Sequence, residues 1–114
     1  MIEIKNAKIR STTIGIEDHG IMTVDIELDY GDVFQGFGGY GLDAYDKKSK
    51  KRIPHIALSH FITRVMEVVG VNKWEDLKGK IIRVKAESTK CHAIGNVLKD
   101  EWFDPSEELK QYDN

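Results

Sequence analysis

The residues best suited to hold a ligand lie in DVFQGFGGYGLD, Asp32 to Asp43, which carries four of the chain's ten glycines, three aromatic rings and no lysine or arginine. Glycine in a strand interior costs about 0.5–1 kcal/mol relative to alanine, so a cluster of four needs a reason. A bare backbone between aromatic walls accepts a flat ring such as a nucleobase, and Phe37, Gly38, Gly39 and Tyr40 are the residues that would do it. A bulged or coiled strand whose rings cover its own backbone explains the same residues by packing, and is the first of the two readings. The segment is not a P-loop, because it lacks that spacing and the Lys-Ser/Thr ending. Contacts to an anion would come from elsewhere. Arg64 and Arg83 carry forks that bind phosphate in pairs of hydrogen bonds, and Lys85 shares a strand with Arg83.

The other reactive side chains point to no catalytic centre and no metal site. His19, His55, His60 and His92 are scattered, with no pair at metal-ligand spacing on one element. Cys91 precedes His92, but neighbours on a strand face opposite ways, so a structural thiol is expected. One cysteine also excludes an intramolecular disulfide. Asp25, Glu27 and Asp29 form an acidic strand face that reads as ordinary solvent surface or as a partner interface. Trp102 and Phe103, in DEWFDP, read as a clamp on the core or as a second interface anchor.

The elements that must position these residues follow from periodicity. IMTVDIELDY alternates strictly, with Met22, Val24, Ile26, Leu28 and Tyr30 on one face, as a half-buried antiparallel strand does. Upstream, Ile2, Ile4, Ile9, Ile14 and Ile16 change parity, which predicts a bulge near Ser11 to Thr13, and EDHG supplies the following turn. YDKKSKKRIPH, with basic residues at 47, 48 and 50–52, reads first as a solvated loop and second as a contact for an anionic ligand or phosphate. From Ile56 the spacing turns helical and ends at Gly70. Asn72 is expected to cap a short helical turn at Trp74, and IIRVKAE and CHAIGNVL read as two further strands. The predicted order is β-β-β-α-β-β: an α+β domain over residues 1–104, with one main helix packed on a face of an antiparallel sheet in two layers. A polar tail is expected over 105–114, and the uncovered sheet face suits a homo-oligomer.

A chain of 114 residues is long enough for one real core. Its 40% apolar and 32% charged content is that of an ordinary globule. The net charge of −2 argues against non-specific nucleic-acid binding. MIEIKNAKIR lacks the apolar core of a signal peptide, so a cytoplasmic protein without a membrane association is expected.

The phrases IEIKNAKIRSTTIGIEDHGIMT, LDYGDVFQGFGGYGLD, VMEVVGVNKWEDLKGKIIRVKAE and AIGNVLKDEWFDP resemble a family of small proteins encoded by bacteriophages and prophages. The resemblance implies an accessory viral protein of the counter-defence kind, located in the host cytoplasm. In particular it implies an anti-Thoeris sponge, which oligomerises and sequesters cyclic ADP-ribose-type signals without cleaving them and without a cofactor. On that reading a cyclic nucleotide is the small-molecule partner, and Arg83→Ala or Tyr40→Ala each weaken its binding by about 1 kcal/mol or more. Two rivals stand beside it. One is an anti-CRISPR-like inhibitor that meets a host defence protein through the Asp25–Glu27–Asp29 face, whose spacing of roughly 6–7 Å approximates that of DNA phosphates. The other is a single-stranded nucleic-acid binder using the sheet and Lys47 to Arg52, which steep salt dependence would reveal.

Overall fold

The computed structural model describes residues 1–112. Its main feature is a six-stranded antiparallel sheet in the order β3-β2-β1-β6-β7-β8, with one long helix on its inner face, an α+β domain as the periodicity predicted. β1 (Glu3–Glu17) is a single long strand. Its register shifts between Ile9↔Leu28 and Ser11↔Glu27, so the bulge falls at Arg10, just ahead of the predicted place. The extra residue lets Ile9 and Ile14, an odd and an even position, both point to the core side. The EDHG turn uses left-handed backbone at His19 (φ 64°) and Gly20 (φ 75°) and leads into β2 (Ile21–Asp29).

β3 (Phe34–Gly38), β6 (Ile81–Ala86), β7 (Cys91–Gly95) and β8 (Trp102–Phe103) complete the sheet. The sheet curls. Gln35 on β3 donates from Nε2 to the Glu87 carbonyl at 2.8 Å, tying one end of the sheet to the turn between β6 and β7. Inside the curl lie Ile9, Ile26, Leu28, Ile82, Val84 and Ile94, all essentially inaccessible.

α1 (Ile56–Val69) closes this core. Its buried residues Ala57, Phe61, Val65 and Val68 recur at helical spacing. His55 caps the first turn by accepting from the Ala57 N–H at 3.0 Å, and Gly70 (φ 89°) ends the helix by donating to the Met66 carbonyl at 2.8 Å. The following turn, Trp74–Asp76, is preceded by an extended Lys73 with no side-chain cap, so Asn72 does not play the part expected of it.

Two regions differ from expectation. The basic stretch is an ordered hairpin: β4 (Ala44–Asp46) pairs with β5 (Lys51–Ile53) around a turn organised by the Asp46 carboxylate. That carboxylate accepts from the Ser49 hydroxyl at 2.6 Å and the Ser49 N–H at 3.2 Å. Residues 105–112 also fold, as α2 (Pro105–Glu108) and a 3₁₀ turn (Leu109–Tyr112), and dock on α1. Glu108 accepts from Arg64 Nε at 2.9 Å, and the Tyr112 hydroxyl meets His60 Nδ1 at 2.8 Å. The expected tail is thus part of the domain as far as Tyr112.

Candidate functional site

The glycine-rich segment is shaped by packing. Phe37 is wholly buried, with its ring 5.8 Å from Phe61 and 6.3 Å from Phe103, so it presents no wall to a ligand. Gly38 and Gly39 adopt positive φ of 130° and 78°. A Cβ at Gly38 would sit 2.0 Å from the Val24 carbonyl oxygen, which makes glycine a requirement of the β2–β3 approach. Gly39 then donates to that carbonyl at 3.1 Å. Tyr40 lies half-buried against Phe61 at 6.3 Å, and its hydroxyl is enclosed without a partner among the described residues. Ring and backbone here serve the core.

The expected cations do not converge. Arg64 lies on the helix side of the sheet, where its guanidinium meets Glu108, Glu67 and the Trp102 carbonyl, at 2.9, 3.1 and 2.9 Å. Those acceptors occupy the fork and raise its pKa further, Glu108 contributing most. Arg83 and Lys85 are on the outer face. Arg83 donates to the Asn96 and Lys99 carbonyls, each at 2.8 Å. Trp102 lies flat on Gly95, whose hypothetical Cβ would meet the ring at 2.5 Å, and Arg83 and Lys85 stand 4.8 and 4.4 Å from the ring centre. Its adjacent residue Phe103 faces inward and is wholly buried, 5.2 Å from Phe61. Phe103 is therefore a core residue and no interface anchor.

Asp25, Glu27 and Asp29 do share the outer face, as the alternation of β2 required. Two of them are engaged: Glu27 pairs with Arg10 at 3.1 Å, and Asp29 accepts from the Gly31 N–H at 2.7 Å. Cys91 is buried, and that burial pushes its thiol up to about 11. His92 bonds Glu87 at 2.6 Å, which holds the Glu87 carboxyl below its usual value.

The structure assembles a different site at the end of the sheet where α1 begins. A cleft of about 370 Å³ opens there, with apolar walls from Ile16, Met22, Leu42, Ile53 and Leu58. A second, more polar one of about 320 Å³ adjoins it through shared Asp43 and His55 and extends past Tyr45 to Tyr112. Asp43 organises the floor. Its side chain, only 9% exposed, accepts from Arg52 Nε at 3.2 Å and from the Met22 N–H at 3.2 Å, and its other oxygen takes the Arg52 Nη2 donor. The Arg52 bonds, ahead of the Met22 N–H, hold the Asp43 carboxyl below the usual carboxylate range. The first turn of α1 carries no acidic side chain, so the positive end of the helix dipole at this cleft is not neutralised from within the helix. The turn of the β4–β5 hairpin, whose strands supply Ala44, Tyr45, Arg52 and Ile53 to the clefts, carries Lys47, Lys48 and Lys50, all exposed. Asp43, Arg52, His55 and Leu58 carried no motif. Only a long-range ion pair brings residues nine apart into one floor, and no local pattern announces it.

No family model, curated protein or solved structure matches this chain. Among the described residues, no helix is long and apolar enough to cross a membrane.

Proposed function

We propose that this protein is a non-catalytic binder that sequesters a small, anionic, nucleotide-type ligand, in the manner of a phage counter-defence sponge for cyclic ADP-ribose-type signals. The observation that carries this reading is the pair of adjoining clefts at the N-terminus of α1, one apolar and one polar, joined at Asp43 and His55. A volume of about 370 Å³ is within the range of small-molecule sites. The apolar walls suit a base. The polar cleft, at the positive end of α1 and beside a lysine-bearing hairpin, suits its phosphates. On this reading Phe37, Tyr40 and Arg83 lie outside the site, and Arg83→Ala and Tyr40→Ala are expected to act on stability.

The test is a native mass spectrum of the purified protein, alone and mixed with a panel of cyclic nucleotides and cyclic ADP-ribose isomers. A stoichiometric mass gain, released chemically unchanged on denaturation and abolished in a folded Leu58→Trp variant, supports the reading. A wild-type protein that takes up none of the panel, or a Leu58→Trp variant that binds as before, contradicts it.

A further inference from the structure

β1 is flanked by β6 over its first half and by β2 from Lys8 to Glu17, so it has a strand on both sides only at Lys8. β6 pairs with residues Glu3 to Lys8. The segment that follows α1 extends this cover to Ile9, whose N–H donates to the Lys80 carbonyl at 2.9 Å and whose carbonyl accepts from Gly79 at 2.7 Å. Trp74 reaches one step further, its indole donating to the Thr12 hydroxyl at 3.0 Å. From Ser11 to Glu17, the backbone of β1 is bonded through β2 alone among the described residues.

The bonding of β2 fixes which groups face the open side. Val24 and Met22 turn their carbonyls away from β1, to the N–H groups of Gly39 and Leu42 at 3.1 and 2.9 Å. The Met22 N–H points the same way, to Asp43 at 3.2 Å. Since both groups of one residue project to the same side and the side alternates along a strand, Thr23 and Asp25 face β1 and bond Gly15 and Thr13. The N–H and C=O groups of Thr12, Ile14 and Ile16 therefore project from the open edge.

That edge lacks the usual safeguards. STTIGIE, Ser11 to Glu17, has no lysine, arginine or proline, and the bulge that would twist it away lies upstream at Arg10. Ile14 and Ile16 are 43% and 68% exposed on it.

We infer that a second copy of this chain adds to this edge, antiparallel, about a two-fold axis at Ile14. In that register Ile14 faces Ile14 of the second copy, and Thr12 faces its Ile16. All three outward residues of each copy then exchange both backbone groups, giving a ladder of six hydrogen bonds across the axis. A register centred on Thr13 or Gly15 leaves one of the three without its counterpart among Thr12, Ile14 and Ile16. Charge agrees with the axis at Ile14, because Glu17 falls opposite Ser11 and no two carboxylates oppose each other. Ile14 and Ile16 extend the same apolar stripe and cover each other across the junction. The inference stands on the edge geometry; Ile16 also walls the apolar cleft, so the Ile16→Lys variant is read by oligomeric state and amide exchange and not by ligand uptake.

Amide hydrogen exchange read by NMR across a dilution series, with native mass spectrometry of the same samples, tests it. A dimer is expected, in which the Thr12, Ile14 and Ile16 amides are protected and exchange at least about tenfold faster once diluted to monomer. Thr13 and Gly15, bonded to β2, should stay protected in both states. Ile16→Lys, at a position too exposed to upset the fold, should yield a folded monomer with those three amides open. A protein that stays monomeric throughout, a dimer in which the three amides exchange freely, or a dimer unchanged by Ile16→Lys would overturn the inference.

Discussion

Alanine at Gly36 and alanine at Gly38, two residues apart on one strand, are expected to move stability in opposite directions. Gly36 has ordinary strand dihedrals, and a Cβ there meets nothing within 4 Å. Alanine at that site restricts the unfolded chain and disturbs nothing in the folded one, so a gain of about 0.4–1 kcal/mol is expected. Gly38 differs on two counts. Its φ of 130° costs a side chain on the order of 1–3 kcal/mol. Its Cβ would lie 2.0 Å from the Val24 oxygen and 3.0 Å from the Val24 carbon, so β2 and β3 must part by more than an ångström. That separation also weakens the neighbouring Gly39-to-Val24 bond, worth about 1 kcal/mol net. A loss of about 2–4 kcal/mol follows, or roughly 10 °C in melting temperature for a domain of this size. Urea titration with a thermal melt of each variant gives both numbers. If Gly38→Ala matches the wild type, or Gly36→Ala falls as far as Gly38→Ala, the glycines are not there for the strand approach and the packing account of this segment fails.

Phe37→Ala should cost about 3–5 kcal/mol in urea titration, since the ring is wholly buried between Phe61 and Phe103, while Phe34→Ala, at a residue 56% exposed, should cost far less. Asp43 has a lowered pKa, so its ionised form contributes stability above the ordinary carboxylate pKa and that contribution is lost as pH falls through the lowered value. The stability gap between wild type and Asp43→Asn should therefore be widest near neutral pH and close in strong acid, as pH-dependent denaturation will read. Cys91 titrates the other way: its thiol is held protonated up to about 11 against an ordinary 9.0, so folded stability should decline as pH rises across that interval. At neutral pH its alkylation should proceed only through unfolding, and Cys91→Ala should flatten the alkaline limb.

Periodicity gave the parts of this fold whose faces are set by burial alone. β2 alternates because one side meets α1 and the other meets solvent, and α1 repeats every three to four residues for the same reason. The parity change in β1 announced its bulge. Alternation stops being informative after Gly38, where two successive positive φ values rotate the chain, so Leu42, which a regular strand would place on the same face as exposed Phe34, is buried instead. The β4–β5 hairpin was hidden because its turn is held by Asp46 and Ser49 rather than by a glycine pair. The docking of residues 105–112 depends on Glu108 and Tyr112 finding His60 and Arg64, more than forty positions away. The cleft was hidden in the same way, since its floor is an ion pair and its walls come from four separate elements.

An NMR titration of the isotopically labelled protein with cyclic ADP-ribose isomers tests the location of binding most directly. One isomer should shift the amides of Leu42, Asp43, His55 and Leu58 in a saturable way while Arg83, Lys85 and Trp102 stay in place. Shifts confined to the Arg83–Trp102 face, or no shift with any isomer, would contradict a ligand site at the head of α1.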